Sequence, residues 1–342
     1  MSAPTFLLVT GSMRSGTTLL GELLYSRYER CCRHPHLAFA NDNINTLREL
    51  ATIHARDGAT VEQSIATLLS KHQWPETPPC SLPALLQKQI LEVAPIEQPP
   101  LLVYGLKTTA LFDDFLWMKP VLGNTRQIMV FRDPRDVLVS NLRRISLGDT
   151  TPKPVSKWQQ IKSRLIGGHH DETVPRSCQQ NYDGHMVLTM TLNAYRFWKA
   201  HESDPDVLML RYEKLVHDPE SGMREILRFL DLQADRYDWD SLKSGSIVSN
   251  SSFLIKDPDG AVPAGIQVSA IGRYKESLSP FDLWLTQRVL GTMMQELGYP
   301  LDDGGGYQPK EDSWRTWMEG FVARSRTLGH ATEGLEAVLH PA

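Results

Sequence analysis

Phe6-Leu7-Leu8-Val9-Thr10-Gly11-Ser12-Met13-Arg14-Ser15-Gly16-Thr17-Thr18-Leu19-Leu20 decides the fold. Its opening, Phe6 to Val9, is an apolar run too short for a stable helix and suited to a strand buried on both faces. A glycine-flanked loop follows, and from Thr17 the leucines at 19, 20, 23 and 24 recur with helical spacing. The stretch therefore reads strand, loop, helix. Leu101 to Tyr104, Gln127 to Phe131 and Val207 to Leu210 repeat the pattern, each a short apolar strand giving way to a helical stretch. Strands alternating with helices predict an α/β fold, a parallel sheet flanked by helices.

The 342 residues suffice for one large α/β domain or two smaller ones, and 41% hydrophobic content excludes disorder as the main state. Lys and Arg number 36 against 40 Asp and Glu, a net charge of −4. Binding of nucleic acid through bulk positive charge is thereby excluded, and any anion site must be local. No run of about 18 apolar residues occurs, and Met1 to Thr10 lacks the basic start of a signal segment. A soluble, cytoplasmic protein with no membrane partner is the expectation. Cys31, Cys32, Cys80 and Cys178 form no paired CxxC pattern and read as reduced thiols.

Two polar insertions, about 43–100 and 145–184, interrupt the alternation, the second carrying Gly167-Gly168-His169-His170. Long connections of this kind are expected to form helical lids around a substrate. A domain over 1–300 is followed by Asp302 to Gly306, read as a linker. Within 301–342, Trp314, Trp317, Phe321 and Val322 fall on one face of an amphipathic helix. That face predicts docking on the chain's own domain or on a second subunit, a homodimer.

Gly11-Ser12-Met13-Arg14-Ser15-Gly16-Thr17-Thr18 has the glycine spacing of a P-loop, in which backbone N–H groups and a helix N-terminus cradle phosphate. An NTPase loop places Lys directly after the second glycine. Here Thr17 holds that position and the cation, Arg14, lies inside the loop, so a nucleoside triphosphate is not the expected anion. A second constellation stands at the end of the Gln127 to Phe131 strand. Asp133 and Pro134 open a helix as N-cap and N1, with Asp136 as the acid at N3, and capping accounts for Asp133 and Pro134. It does not account for Arg132 at the strand's carboxyl end, where α/β sheets bind ligands. Arg132 can meet a second phosphate together with the hydroxyl of Ser140.

These paired signatures resemble the 5′-phosphosulfate loop and 3′-phosphate motif of sulfotransferases that use 3′-phosphoadenosine 5′-phosphosulfate (PAPS). Arg211-Tyr212-Glu213-Lys214-Leu215 resembles that family's strand-to-helix segment, whose tyrosine lies against the nucleotide. Ile271-Gly272-Arg273-Tyr274, followed by Glu296-Leu297-Gly298-Tyr299, resembles its C-terminal phosphate loop and closing helix. The resemblance spans about 5–300 apart from the insertions. It implies a cofactor site of Met13, Arg14, Ser15, Gly16, Thr17, Thr18, Arg132, Ser140, Tyr212, Arg273 and Tyr274. It further implies PAPS as donor, PAP as product, no metal, and a small-molecule acceptor of secondary metabolism. A P-loop kinase or NTPase, or a non-catalytic nucleotide-binding module of the same fold, is the alternative reading.

Sulfuryl transfer puts negative charge on the bridging oxygen of the leaving 5′-phosphate, so positioned cations carry much of the catalysis. The resemblance assigns that role to Arg14 and to Lys107, in Gly105-Leu106-Lys107-Thr108-Thr109, where cytosolic members carry Lys-Thr-His. Thr109 stands in place of their catalytic histidine, and an aliphatic hydroxyl is a poor general base. Golgi-type and tyrosylprotein members take a glutamate shortly after a His-Pro pair. Aligning that pair on His34-Pro35 puts Asp42 at the glutamate position, while counting without a gap from the loop lands on His34 to His36. Asp42 is preferred on the expectation that the seven extra residues add two turns to the first helix.

Overall fold

β1 (Thr5–Thr10) is buried at all of its positions because it has a parallel neighbour on each side and helices over the faces. The computed structural model describes residues 3–26, 29, 31–40, 46–57, 60–73, 81–94, 100–146, 182–243 and 265–340. The chain divides into two compact units, Met1–Arg132 with Arg196–Val268, and Asp133–Tyr195 with Ser269–Ala342.

In the first unit β1 leads through the glycine loop into α1 (Thr17–Leu24), followed by the antiparallel pair β2 (Tyr25–Ser26) and β3 (Cys31–Cys32) and by β4 (Leu37–Ala40). The first insertion is helical, as α2 (Thr46–Asp57), α3 (Val61–Lys71) and α4 (Leu82–Val93). Thr60 and Gln63 close a reciprocal capping box on α3, and Ser81 caps α4. Then come β5 (Val103–Lys107), α5 (Phe115–Leu122) and β6 (Thr125–Phe131). The sheet has five parallel strands in the order β4-β5-β1-β6-β7.

Two sequence expectations change here. The first helix stops at Leu24, and Tyr25–Ser26 and Cys31–Cys32 form the β2–β3 pair where two further helical turns were expected. β4 was not foreseen as a strand, although Leu37-Ala38-Phe39-Ala40 is apolar and all four residues are buried. Its parallel pairing with β5, Leu37 opposite Val103 and Ala40 opposite Leu106, fixes which end of the sheet the preceding histidines occupy.

The second unit contains α6 (Pro134–Ser146) and the first part of α7 (Tyr182–Ala200). The first unit resumes with the end of α7, β7 (Val207–Arg211), α8 (Tyr212–His217), α9 (Pro219–Phe229) and α10 (Trp239–Lys243). The second unit closes with α11 (Tyr274–Ser277), α12 (Pro280–Glu296), α13 (Glu311–Thr327) and α14 (Glu333–Leu339). The aromatic face read from the sequence belongs to α13, where Trp314, Trp317, Phe321 and Val322 are buried. Trp317 meets His185 of α7 edge-on at 5.3 Å between ring centres and Phe281 of α12 at 5.5 Å, so the helix docks within its own unit. Among the described residues no helix is long and apolar enough to cross a membrane. Cys31 and Cys32 are free thiols, and burial pushes the Cys32 thiol up to about 12. Cys80, Cys178, His169 and His170 lie outside the described residues.

Candidate active site

The glycine loop leaves β1 at the carboxyl edge of the sheet and enters α1 at Gly16, whose φ of 111° suits glycine. No side chain caps α1, so the N–H groups of its first turn point out of the helix as donors. Arg14 is held at φ 69°, in the left-handed region that a residue with a Cβ enters only at a cost. The Ser15 hydroxyl is buried and has no hydrogen-bond partner among the described residues. Met13, Arg14, Gly16 and Thr18 are half-buried, while Ser15 and Thr17 are buried.

β5 ends alongside this loop. Lys107 is paired with Val9, the Thr108 N–H donates to the Val9 carbonyl at 2.9 Å, and the Ala110 N–H donates to the Gly11 carbonyl at 3.0 Å. Lys107 therefore stands beside the start of the loop. Thr109 comes within 3.3 Å of Thr17, oxygen to oxygen, and the buried Thr108 hydroxyl, like that of Ser15, has no partner among the described residues. Ala110 at φ 70° is a second strained residue at the same edge. Arg48 of α2 donates to the Thr109 carbonyl at 3.4 Å, which brings a third cation to this mouth. No local sequence signal marked it, because nothing before the fold connects residue 48 with residue 109.

Arg132 ends the neighbouring strand β6 and is buried. One of its nitrogens donates to the Arg14 carbonyl at 3.5 Å, and its guanidinium lies 4.5 Å from the centre of the Tyr212 ring. The same ring presses on Gly16, where an added Cβ would stand within 3.0 Å of it. Tyr212 is buried and so supports the loop and Arg132 together.

The loop, Lys107, Arg132 and Tyr212 are thus brought together in the first unit. Ser140, Arg273 and Tyr274 belong to the second. Ser140 lies on α6, and Arg273 donates through Nε to the Ser269 carbonyl at 2.7 Å. Tyr274 stacks on the buried guanidinium of Arg135 at 4.0 Å. Asp133 caps the N–H of Arg135 at 3.0 Å and also forks with its guanidinium at 2.9 and 2.6 Å, a use beyond capping.

His34 and His36 occupy the opposite edge of the sheet, ahead of β4, about four strand residues or ~13 Å from the level of Lys107. His34 is fully buried. Its Nδ1 accepts the His36 N–H at 3.2 Å, so its Nε2–H donates to the Gln233 carbonyl at 3.0 Å. Burial holds its pKa below the ordinary histidine value. His36 donates from Nδ1 to the Pro100 carbonyl at 2.9 Å, leaving Nε2 to accept from Arg236 at 3.0 Å. Both imidazoles are committed to packing at the amino edge of the strands. Asp42 comes two residues after Ala40 and lies outside the described residues.

The residues at the loop suit a phosphosulfate group. A helix N-terminus without a side-chain cap and a buried Ser15 hydroxyl with no partner among the described residues leave donors for an anion, with Arg14 inside the loop and Lys107 on the adjacent strand.

A family model described as a sulfotransferase domain matches residues 4–254. Among solved structures, the sulfotransferase domain of the Synechococcus PCC 7002 olefin synthase is 14% identical with a TM-score of 0.47. That alignment covers 88% of this chain and 98% of the other. The sulfotransferase domain from the curacin biosynthetic pathway is 14% identical with a TM-score of 0.45, covering 88% of this chain and all of the other. A retinol dehydratase solved with retinol and PAP is 14% identical with a TM-score of 0.42, over 86% and 83% of the two chains. A search of curated protein sequences finds no match.

Proposed function

Because the chain belongs to the sulfotransferase family, we propose that it moves a sulfuryl group from PAPS to a hydroxyl or amine of a small-molecule metabolite by in-line displacement. The observation that carries this reading is the strained glycine loop with Arg14 inside it and Lys107 emerging from the adjacent strand. PAPS supplies the activated sulfuryl group and a phosphate that departs as PAP. The first-turn N–H groups of α1 and the Ser15 hydroxyl hold the 5′ end of that donor. Arg14 and Lys107 offset the charge that grows on the bridging oxygen as the bond to sulfur breaks, an effect that needs no proton transfer. Arg132 meets the 3′-phosphate from the first unit, Ser140 and Arg273 are the residues of the second to which the resemblance gives the same role, and Thr17 and Thr18 line the sulfuryl side.

With His34 and His36 committed at the far edge, the proton of a hydroxyl acceptor passes to Asp42. The kinase alternative meets two obstacles, since Thr17 replaces the loop lysine and the strand-end acid Asp133 is forked with Arg135.

Incubating the purified chain with PAPS and a metabolite extract, then searching by mass spectrometry for a gain of one SO₃, tests the reading. A sulfated product formed in the presence of EDTA and absent with Arg14→Ala is expected. ATP turnover strictly dependent on magnesium, with no sulfated product, would establish the kinase alternative instead.

A further inference from the structure

The acid at the third position of α6 reaches well beyond its own helix. Asp136 is 1% exposed, and both of its carboxylate oxygens leave α6 for a segment 136 and more residues away. Oδ2 accepts the Gly272 N–H at 2.7 Å, and Oδ1 accepts the Tyr274 N–H at 3.0 Å. The residue between those two amides is Arg273. A carboxylate accepting backbone N–H groups on either side of one residue fixes that residue's backbone, and bonds of this kind, with one partner charged, are the strong ones.

Three further contacts in the same unit hold the same segment. Arg135 lies under the Tyr274 ring at 4.0 Å, Arg273 Nε is tied to the Ser269 carbonyl at 2.7 Å, and Arg143 donates to the Ser277 hydroxyl at 2.9 Å. Asp136, Ser140 and Arg143 are spaced i, i+4 and i+7, so they share one face of α6. The first and last of them bond to residues 272–277, and Ser140 is therefore turned toward the segment that bears Arg273. Gly272 has φ 78° with open space around a Cβ, so its glycine is required by the backbone turn alone.

We propose that Asp136 is a positioning residue for donor binding: it clamps the 272–274 loop so that Arg273 stands beside the Ser140 face of α6, and thereby sets the preference for a 3′-phosphate. The inference rests on the assignment of Arg273 and Ser140 to that phosphate. Asp136 itself, as an anion, touches no phosphate and acts only through the loop. Asp136→Asn keeps the shape but turns an amide NH₂ toward one of the two backbone N–H groups, so one bond is replaced by a donor facing a donor.

The test is calorimetric, with PAP and 5′-AMP as probes, on wild type, Asp136→Asn, Arg273→Ala and the double variant. A wild type that binds PAP and AMP equally would remove the 3′-phosphate assignment itself, whatever Asp136 does. Given a wild-type preference, Asp136→Asn should weaken PAP by about tenfold, or about 1.4 kcal/mol, and leave AMP unchanged. The double variant should lose no more than Arg273→Ala alone, because the clamp acts through that arginine. Equal losses for PAP and AMP, or losses that multiply in the double variant, would make Asp136 a plain stability residue and overturn the proposal. Should Asp136→Asn fail to fold, Gly272→Ala decides. It strains the same loop without touching the carboxylate and should show the same loss for PAP alone, and an unchanged PAP to AMP ratio would refute the clamp.

Discussion

Gly16→Ala is the sharpest perturbation of the loop, because two independent penalties fall on one methyl group. The residue sits at φ 111°, outside the conformations that alanine adopts readily, a strain of about 1–3 kcal/mol. The new Cβ would also stand within 3.0 Å of the Tyr212 ring, closer than real Cβ contacts come, so the ring or the loop must move. Overpacking of this kind adds about 1–3 kcal/mol. The expected destabilisation is therefore about 2–6 kcal/mol, measured by urea unfolding. Since Tyr212 also supports Arg132 at 4.5 Å, the affinity for PAP should fall at least about tenfold. Gly291→Ala is the internal comparison. That glycine lies in the middle of α12 at an ordinary φ with nothing within 4 Å of a Cβ, so alanine there should stabilise by about 0.5–1 kcal/mol. Should Gly16→Ala unfold within about 0.5 kcal/mol of wild type and keep its PAP affinity, the account of the loop as locked against Tyr212 is wrong.

Three further outcomes are expected. Arg14→Ala or Lys107→Ala should lower kcat by roughly 10²-fold with a smaller change in PAP affinity, because both act on charge that develops in the transition state; EDTA should leave the rate intact. Asp42→Asn should reduce kcat by about 10²-fold or more while His36→Ala leaves most of it, and the reverse result would return the base to the histidine register. Burial lowers the His34 pKa on folding, so below its unfolded value of about 6.5 the unfolded chain binds the extra proton. Its contribution to stability is complete above that pH and is lost as pH falls toward the folded value, so denaturation midpoints measured from pH 7 to 5 should decline, less steeply in His34→Gln.

How much the sequence revealed depends on the range of the interactions that carry it. A glycine loop between an apolar strand and a helix, or an Asp-Pro cap after a strand, is settled within ten residues, and these parts of the site were legible before any fold. The C-terminal aromatic face was legible for the same reason, its spacing being helical. Arg48 at the Thr109 carbonyl, Tyr212 beneath Gly16, and Asp136 on the 272–274 amides are separated by 61 residues or more, and no local pattern announces any of them. Asp136 shows the difficulty most plainly, because its position at the start of a helix offered a local account that gives no hint of the amides it also holds.

One strand that the sequence reading did not mark, β4, decides where the histidines lie. If Leu37–Ala40 were irregular chain and α1 two turns longer, residues 34–42 would form one stretch able to drape anywhere near the loop. Once β4 is parallel to β5, direction is imposed: the chain enters β4 at the amino edge, where His34 and His36 stand, and leaves it at Ala40 on the carboxyl edge, where Gly11 and Lys107 are. Parallel strands cannot exchange ends, so His34 and the carboxyl end of β4 cannot serve one place. The register dispute that motif alignment left open is thus a question of strand polarity. Four buried residues, Leu37, Ala38, Phe39 and Ala40, set that polarity and with it the place of the two histidines.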